Sequence, residues 1–187
     1  IDGSGIFPNA FRVESSVPVT ATQFNPLDNT IEVYSNDASL LLPSDVLGTF
    51  HVAMTREQTF PDLRSYITVV GTRDGTKVSV TTPVGTLASG GLDPMVPGQS
   101  QVFTLNRYDV LNLETDAPGD DLTGSIIVSS EPVAVFGGSE AANAPNTATC
   151  LEEGVCAYDP TKPCTTLMDC LPFNTCCADH LEQQLFP

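Results

Sequence analysis

All six cysteines of the chain, Cys150, Cys156, Cys164, Cys170, Cys176 and Cys177, fall in one short C-terminal stretch. An even, clustered set reads as a disulfide framework and therefore as an oxidising compartment. Zinc is the competing chemistry. The spacings contain no Cys-x-x-Cys pair, and the nearest histidine is His180, so they lack the paired ligands that a tetrahedral site uses. Adjacent Cys176 and Cys177 cannot readily bond each other, and one of them is expected to reach back to Cys150, closing the segment at its neck. Asp116, Asp120 and Asp121, set around Pro118-Gly119, are the candidate cation ligands. Three carboxylates on a bent loop offer hard oxygens to Ca²⁺, although the spacing departs from an EF-hand loop. No other cofactor is expected.

Nucleophilic catalysis needs a nucleophile, a base and an orienting group. The chain has two histidines, His51 and His180, and no GxSxG, HExxH, GxGxxG or P-loop pattern, so no catalytic residues are assigned. His51 shares a strand face with Thr49, Ala53 and Thr55 and is expected to face solvent or to be hydrogen-bonded. His180 is expected to make local hydrogen bonds beside the disulfides.

These residues sit in a chain of 187 residues with 23 Asp+Glu against 7 Lys+Arg, a net charge of −16. Such a surface repels phosphate backbones and anionic bilayers, which excludes non-specific nucleic-acid binding and disfavours membrane attachment. The longest apolar runs, Leu40-Leu41-Leu42 and Val133 to Phe136, are far too short for a helical span. At 41% hydrophobic residues, there is enough apolar material for a core.

The elements that must position the candidates are strands. Period-two alternation and β-branched runs recur between Gly, Pro, Asn and Asp punctuation over residues 11 to 137. Val17 to Phe24, Ile31 to Ser35, Thr49 to Thr55, Gln101 to Leu113 and Gly124 to Gly137 read as strands, with Phe50, Val52 and Met54 on one face of theirs. Tyr66 to Val70 and Lys77 to Thr81, flanking Arg73-Asp74-Gly75-Thr76, predict a hairpin, because Asp-Gly supplies positive φ. Fifteen prolines and fourteen glycines fit many short connections, and no segment carries a long helical period.

The segments VESSVPV (13–19) and VSSEPVA (128–134) repeat, and each runs on to a Leu-rich stretch ending in Pro, at Pro43 and Pro187. The second interval is longer by about the length of the cysteine stretch. The chain is therefore expected to hold a β-sandwich unit over 1–142, a Cys-rich insertion over 143–178 and the truncated start of a second β unit over 179–187. The fold class is all-β, an antiparallel sandwich with a disulfide-rich loop.

Three further segments carry a family resemblance: Asp121-Leu122-Thr123-Gly124-Ser125-Ile126 with Ser129 to Gly138, Leu41 to Thr49 with YITVVGTRDGTKVSVTTP, and Asp179 to Pro187. Together they resemble the N-terminal domain family of IgGFc-binding protein. The resemblance covers roughly residues 10 to 142 and 177 to 187. It implies a β-rich secreted or surface protein whose chain continues past the Pro187 position. Members occur in mucus-associated animal proteins and in bacterial secreted or surface proteins. The cysteine segment departs from the family, and CTTLMDCLPFNTCC resembles Cys-rich modules of bacterial secreted proteins. No residue here matches an Fc contact.

The expected function is a non-enzymatic extracellular binding or adhesion module at the cell surface, taking a protein or glycan ligand. The alternative is a structural subunit of a filament or surface layer, joined to copies of itself by β-strand edges.

Overall fold

The computed structural model describes residues 3–25, 37–143, 150–157, 159–170 and 178–187. The expected strand Ile31 to Ser35 and the pair Cys176 and Cys177 lie outside them. Twelve strands follow in chain order: β1 (Gly5–Phe7), β2 (Thr22–Asn25), β3 (Asp37–Leu40), β4 (Gly48–Val52), β5 (Ser65–Gly71), β6 (Thr76–Thr81), β7 (Ser100–Leu105), β8 (Val110–Glu114), β9 (Ile126–Asn143), β10 (Val155–Cys156), β11 (Asp159–Pro163) and β12 (Ala178–Gln184). Among the described residues the only helical element is a 3₁₀ turn at Leu167–Asp169.

The architecture turns on β9, whose two halves belong to different layers. Ile126 to Ser129 pair with β6 on one side, while Ile126 to Val128 pair with β4 on the other. Val133 to Ser139 pair with β5, and Phe136 to Asn143 with β12. Adding β7 beside β6 and β8 and β1 beyond β5 gives sheet I, β4-β9-β6-β7, and sheet II, β12-β9-β5-β8-β1. All pairings are antiparallel. The crossing falls at Ser130 to Pro132. Pro132 has no N–H to give a ladder, and the Ser129 hydroxyl donates to the Glu131 carbonyl, a local bond that competes with pairing.

Both inner faces feed one core. Ile67 and Val69 of β5, Leu111 and Leu113 of β8, and Val133 and Val135 of β9 meet Val78 and Val80 of β6, Phe103 and Leu105 of β7, and Ile127 of β9. Alternation explains the set, since every second residue of each strand points inward. The molecule is an antiparallel β-sandwich.

Several expectations change in detail. The strands around Asp74-Gly75 form, with Gly75 at φ 73°, but they are not a hairpin. Both run antiparallel to β9, one after the other, and the turn carries the chain from sheet II to sheet I. Side-chain and main-chain partners outside the turn decide this: Asp74 accepts from the Arg107 N–H and Asn106 from the Gly75 N–H. Gln101 to Leu113 breaks into β7 and β8 at the matching crossing. Of the expected Val17 to Phe24 strand, residues 22 to 24 alone pair, as part of β2 with β3, and residues 8–21 form no strand. Ala178–Gln184, in the segment expected to open a second unit, is hydrogen-bonded into sheet II.

The orientation of β4 reverses the expectation for His51. Ala53 donates to the Ser125 carbonyl and accepts from Gly124, and it lies with His51 on the core side. Phe50, Val52 and Met54 are each more than half exposed, while His51 is 1% exposed. Neither ring nitrogen of His51 has a hydrogen-bond partner among the described residues. Burial holds its imidazole below the usual value. The folded state therefore keeps it neutral, whereas the unfolded chain takes up a proton below about pH 6.5. The fold is therefore most stable with respect to this group above that pH, and stability is lost as the pH falls below it because the unfolded chain takes up a proton that the buried ring resists. We expect His51→Leu to raise stability by about 1 kcal/mol at neutral pH, with a gain that grows toward pH 5. Urea midpoints at both pH values check this, and a gain that shrinks on acidification contradicts it.

Candidate functional site

The outer face of sheet II is where polar side chains gather. Register lines them up in rows across the strands: Glu182, Gly138, Tyr66 and Glu114 in one, and Gln184, Phe136, Thr68 and Asn112 in the next. The sequence places them by alternation, since Asn112 and Glu114 interleave with core Leu111 and Leu113, and Glu182 and Gln184 precede core Leu185. A groove of about 1560 Å³ runs over this face. Its far walls are the extended segment 9–15, Val19 to Phe24 and the Leu41 to Leu47 turn, with Val70, Val110 and Phe136 supplying apolar floor.

At the polar end, Glu182 is 8% exposed. One of its oxygens accepts from the Gln23 amide at 2.6 Å and the other from the Tyr66 hydroxyl at 3.1 Å. The Tyr66 ring can lie across the row because position 138 is glycine. A Cβ there would sit 2.7 Å from the Tyr66 ring and hydroxyl and would overlap the Leu181 carbonyl oxygen. Burial first, then the Glu182 charge, raises the Tyr66 pKa far above its ordinary value, so the phenol stays a neutral donor. His180 stacks on Tyr66 with centroids 6.2 Å apart, and its Nδ1 lies 3.2 Å from the Glu140 carbonyl. A carbonyl only accepts, so that nitrogen carries the hydrogen. The partners His180 finds are thus those of the groove.

Glu114, 1% exposed, accepts from the Gly3 N–H and the Asn112 amide at 2.8 and 2.9 Å. The Arg64 guanidinium stands 4.0 Å from its other oxygen. Along the outer edge of β12, Glu182 and Gln184 donate their N–H groups to Asp37 and to the Ser39 hydroxyl, and Gln184 Oε1 accepts from Leu42 N–H. Side chains of β3 thus satisfy an edge that would otherwise stay open. The result is a polar floor in which the Glu182, Gln184 and Asn112 side chains are hydrogen-bonded and Glu114 pairs with Arg64.

The other candidates lie elsewhere. Cys150 bonds Cys164 and Cys156 bonds Cys170, two interleaved links each spanning 14 residues. Cys150 therefore does not reach Cys176 or Cys177. The Gly154 turn, at φ 77°, sets Cys150 opposite Cys156 in a bridge, which aims both toward the returning Cys164 and Cys170. Cys156, Cys164 and Cys170 are the buried cluster among the described residues of this small module. It flanks a cleft of about 650 Å³ that Gly119 also lines. In the adjoining acidic loop, Asp121 accepts from the Thr55 hydroxyl and the Thr123 N–H. Asp120 is raised above the usual carboxylate value by burial and by Asp116, and Asp116 is exposed. Among the described residues, the Asp116, Asp120 and Asp121 oxygens do not form a converging group.

Sequence reasoning missed Tyr66, Asn112, Glu114 and Glu182. The available signal was polar residues at alternate positions of strands whose other face is wholly apolar.

Fold and groove define a β-sandwich module with a lateral groove and a disulfide-stapled excursion. The family described as IgGFc binding protein matches residues 37–187, and the chain belongs to that family. It is 31% identical over 140 residues to the human IgGFc-binding protein, an alignment that covers 75% of this chain and 2% of that protein. No solved structure matches the chain. No helix among the described residues is long and apolar enough to cross a membrane.

Proposed function

We propose that this chain is a non-catalytic binding module acting outside the cell, in adhesion at a surface, and that it holds a protein ligand in the groove on sheet II. The observation that carries the reading is the groove itself, whose floor sets an apolar stretch at Val70, Val110 and Phe136 beside a hydrogen-bonded polar one, the composition of a recognition surface. Family membership supports a protein ligand, since the human relative is by its name a binder of the IgG Fc region. Disulfides support an oxidising, extracellular setting. The chain corresponds to a small part of that relative, so the Fc region is one probe among several here.

The test is an array of extracellular proteins, an IgG Fc fragment among them, beside an array of glycans. Saturable binding to protein spots is the expected result. Binding confined to glycans, or turnover of a spotted substrate, overturns the reading.

A further inference from the structure

We propose that the open edge of β4, at the margin of the outer face of sheet I and on the opposite side of the molecule from the groove floor, is a self-association surface on which two copies join β4 to β4. Register fixes what this face presents. One row reads Val52, Ile126, Thr81, Ser100 and the next Phe50, Val128, Ser79, Val102. Lys77, whose N–H donates to the Ser130 hydroxyl and whose ammonium reaches Thr104, heads a third. Phe50, Val52, Ile126 and Val128 are each between 42% and 53% exposed and adjoin one another. Two neighbouring strands thus show water a continuous apolar strip.

Charge narrows the occupant to a second copy. The chain carries 23 acidic residues, yet none stands at any position of those three rows, and the single ionic group there is a lysine. Two molecules of net charge −16 repel strongly. This face lets them meet without opposing carboxylates.

Strand geometry sets the mode of contact. Ala53 exchanges hydrogen bonds with the 124–125 segment next to β9, so by alternation His51 turns its main chain toward β9, and Phe50 and Val52 turn theirs outward. Among the described residues β4 pairs with β9 alone. β4 also holds neither lysine nor proline, the residues that usually blunt an edge. An antiparallel partner centred on His51 would set Phe50 beside the second copy's Val52 and the reverse, a self-complementary contact that closes at two. Edge pairing brings together only the Phe50 and Val52 side chains of each copy on this face, well short of the roughly 800 Å² per partner of a standard interface, which places this association at the weak end, with main-chain pairing carrying it.

Sedimentation equilibrium of the 187-residue chain at about 0.05 M and about 0.5 M salt tests this. The expected mass rises with concentration from 19.8 kDa toward twice that value, more readily at high salt because screening weakens the mutual repulsion. Phe50→Lys and Val52→Lys should each weaken association at least tenfold while retaining the wild-type circular dichroism spectrum. Leu151→Lys, on the cysteine module, should leave it unchanged. A chain that stays monomeric at both salts overturns the proposal, and so does one whose association Leu151→Lys weakens as much as Phe50→Lys.

Discussion

Gly138→Ala is expected to cost about 3 kcal/mol, the upper end of what overpacking costs, and to lower Tm by roughly 6–12 °C for a chain of this size. The backbone conformation is not at issue, since Gly138 is absent from the positive-φ glycines. The steric cost is at issue. The new methyl would overlap the Leu181 carbonyl and crowd the Tyr66 ring, so β12 must leave β9 or the ring must leave its row. Either movement breaks the Tyr66–Glu182 bond and leaves a buried carboxylate with one acceptor less engaged. Gly85→Ala is the control, because its Cβ meets only the Met95 carbonyl at 3.7 Å, and it should change stability by about 0.5 kcal/mol or less. Differential scanning calorimetry reads both. A Gly138→Ala chain melting within about 2 °C of wild type would show that the floor of the groove is not packed as described.

The second large effect is local. Replacing Cys156 and Cys170 together by serine should remove about 3 kcal/mol from the cysteine module, the value for closing a loop of about 15 residues, and should leave the sandwich transition nearly unmoved. Backbone ordering opposes the module at about 1–2 kcal/mol per residue, and among its described residues the buried cluster is cysteine, while Leu151 and Met168 are exposed. Changing both partners leaves no unpaired thiol from that link. Limited proteolysis should cut the variant within 150–170 at protease levels that spare the wild type, with the calorimetric midpoint of the sandwich preserved. A single transition shifted downward as a whole would mean that the module is integral to the sandwich core.

The architecture was legible where alternation is strict. Tyr66 to Val70 and Lys77 to Thr81 are strands as their pattern requires, and the described residues hold no long helix, in line with the lack of a helical period. What alternation does not state is which face is inner. In β4 and the two residues after it the large apolar residues Phe50, Val52 and Met54 point outward while His51 and Ala53 point in, because register is fixed by pairing with β9 and not by hydrophobicity summed over one strand. The Asp-Gly turn misled for a related reason. Its local geometry permits a hairpin, but competition from β9 and from Asn106 and Arg107 sends the chain onward to the other sheet. The groove was the least legible part. Glu182 and Tyr66 lie 116 residues apart in sequence, and only the pairing of both with one glycine of β9 brings them together.

Val70→Arg is the sharpest test of the groove of sheet II as the ligand surface. Val70 is a partly buried floor residue whose neighbours in register are Ala134 and Val110, so a long cationic side chain there fills the groove without entering the core. Its affinity for a protein captured on the array should fall at least tenfold, with Tm and circular dichroism close to wild type. Unchanged affinity in a folded Val70→Arg chain would contradict the account and move the binding surface elsewhere on the molecule.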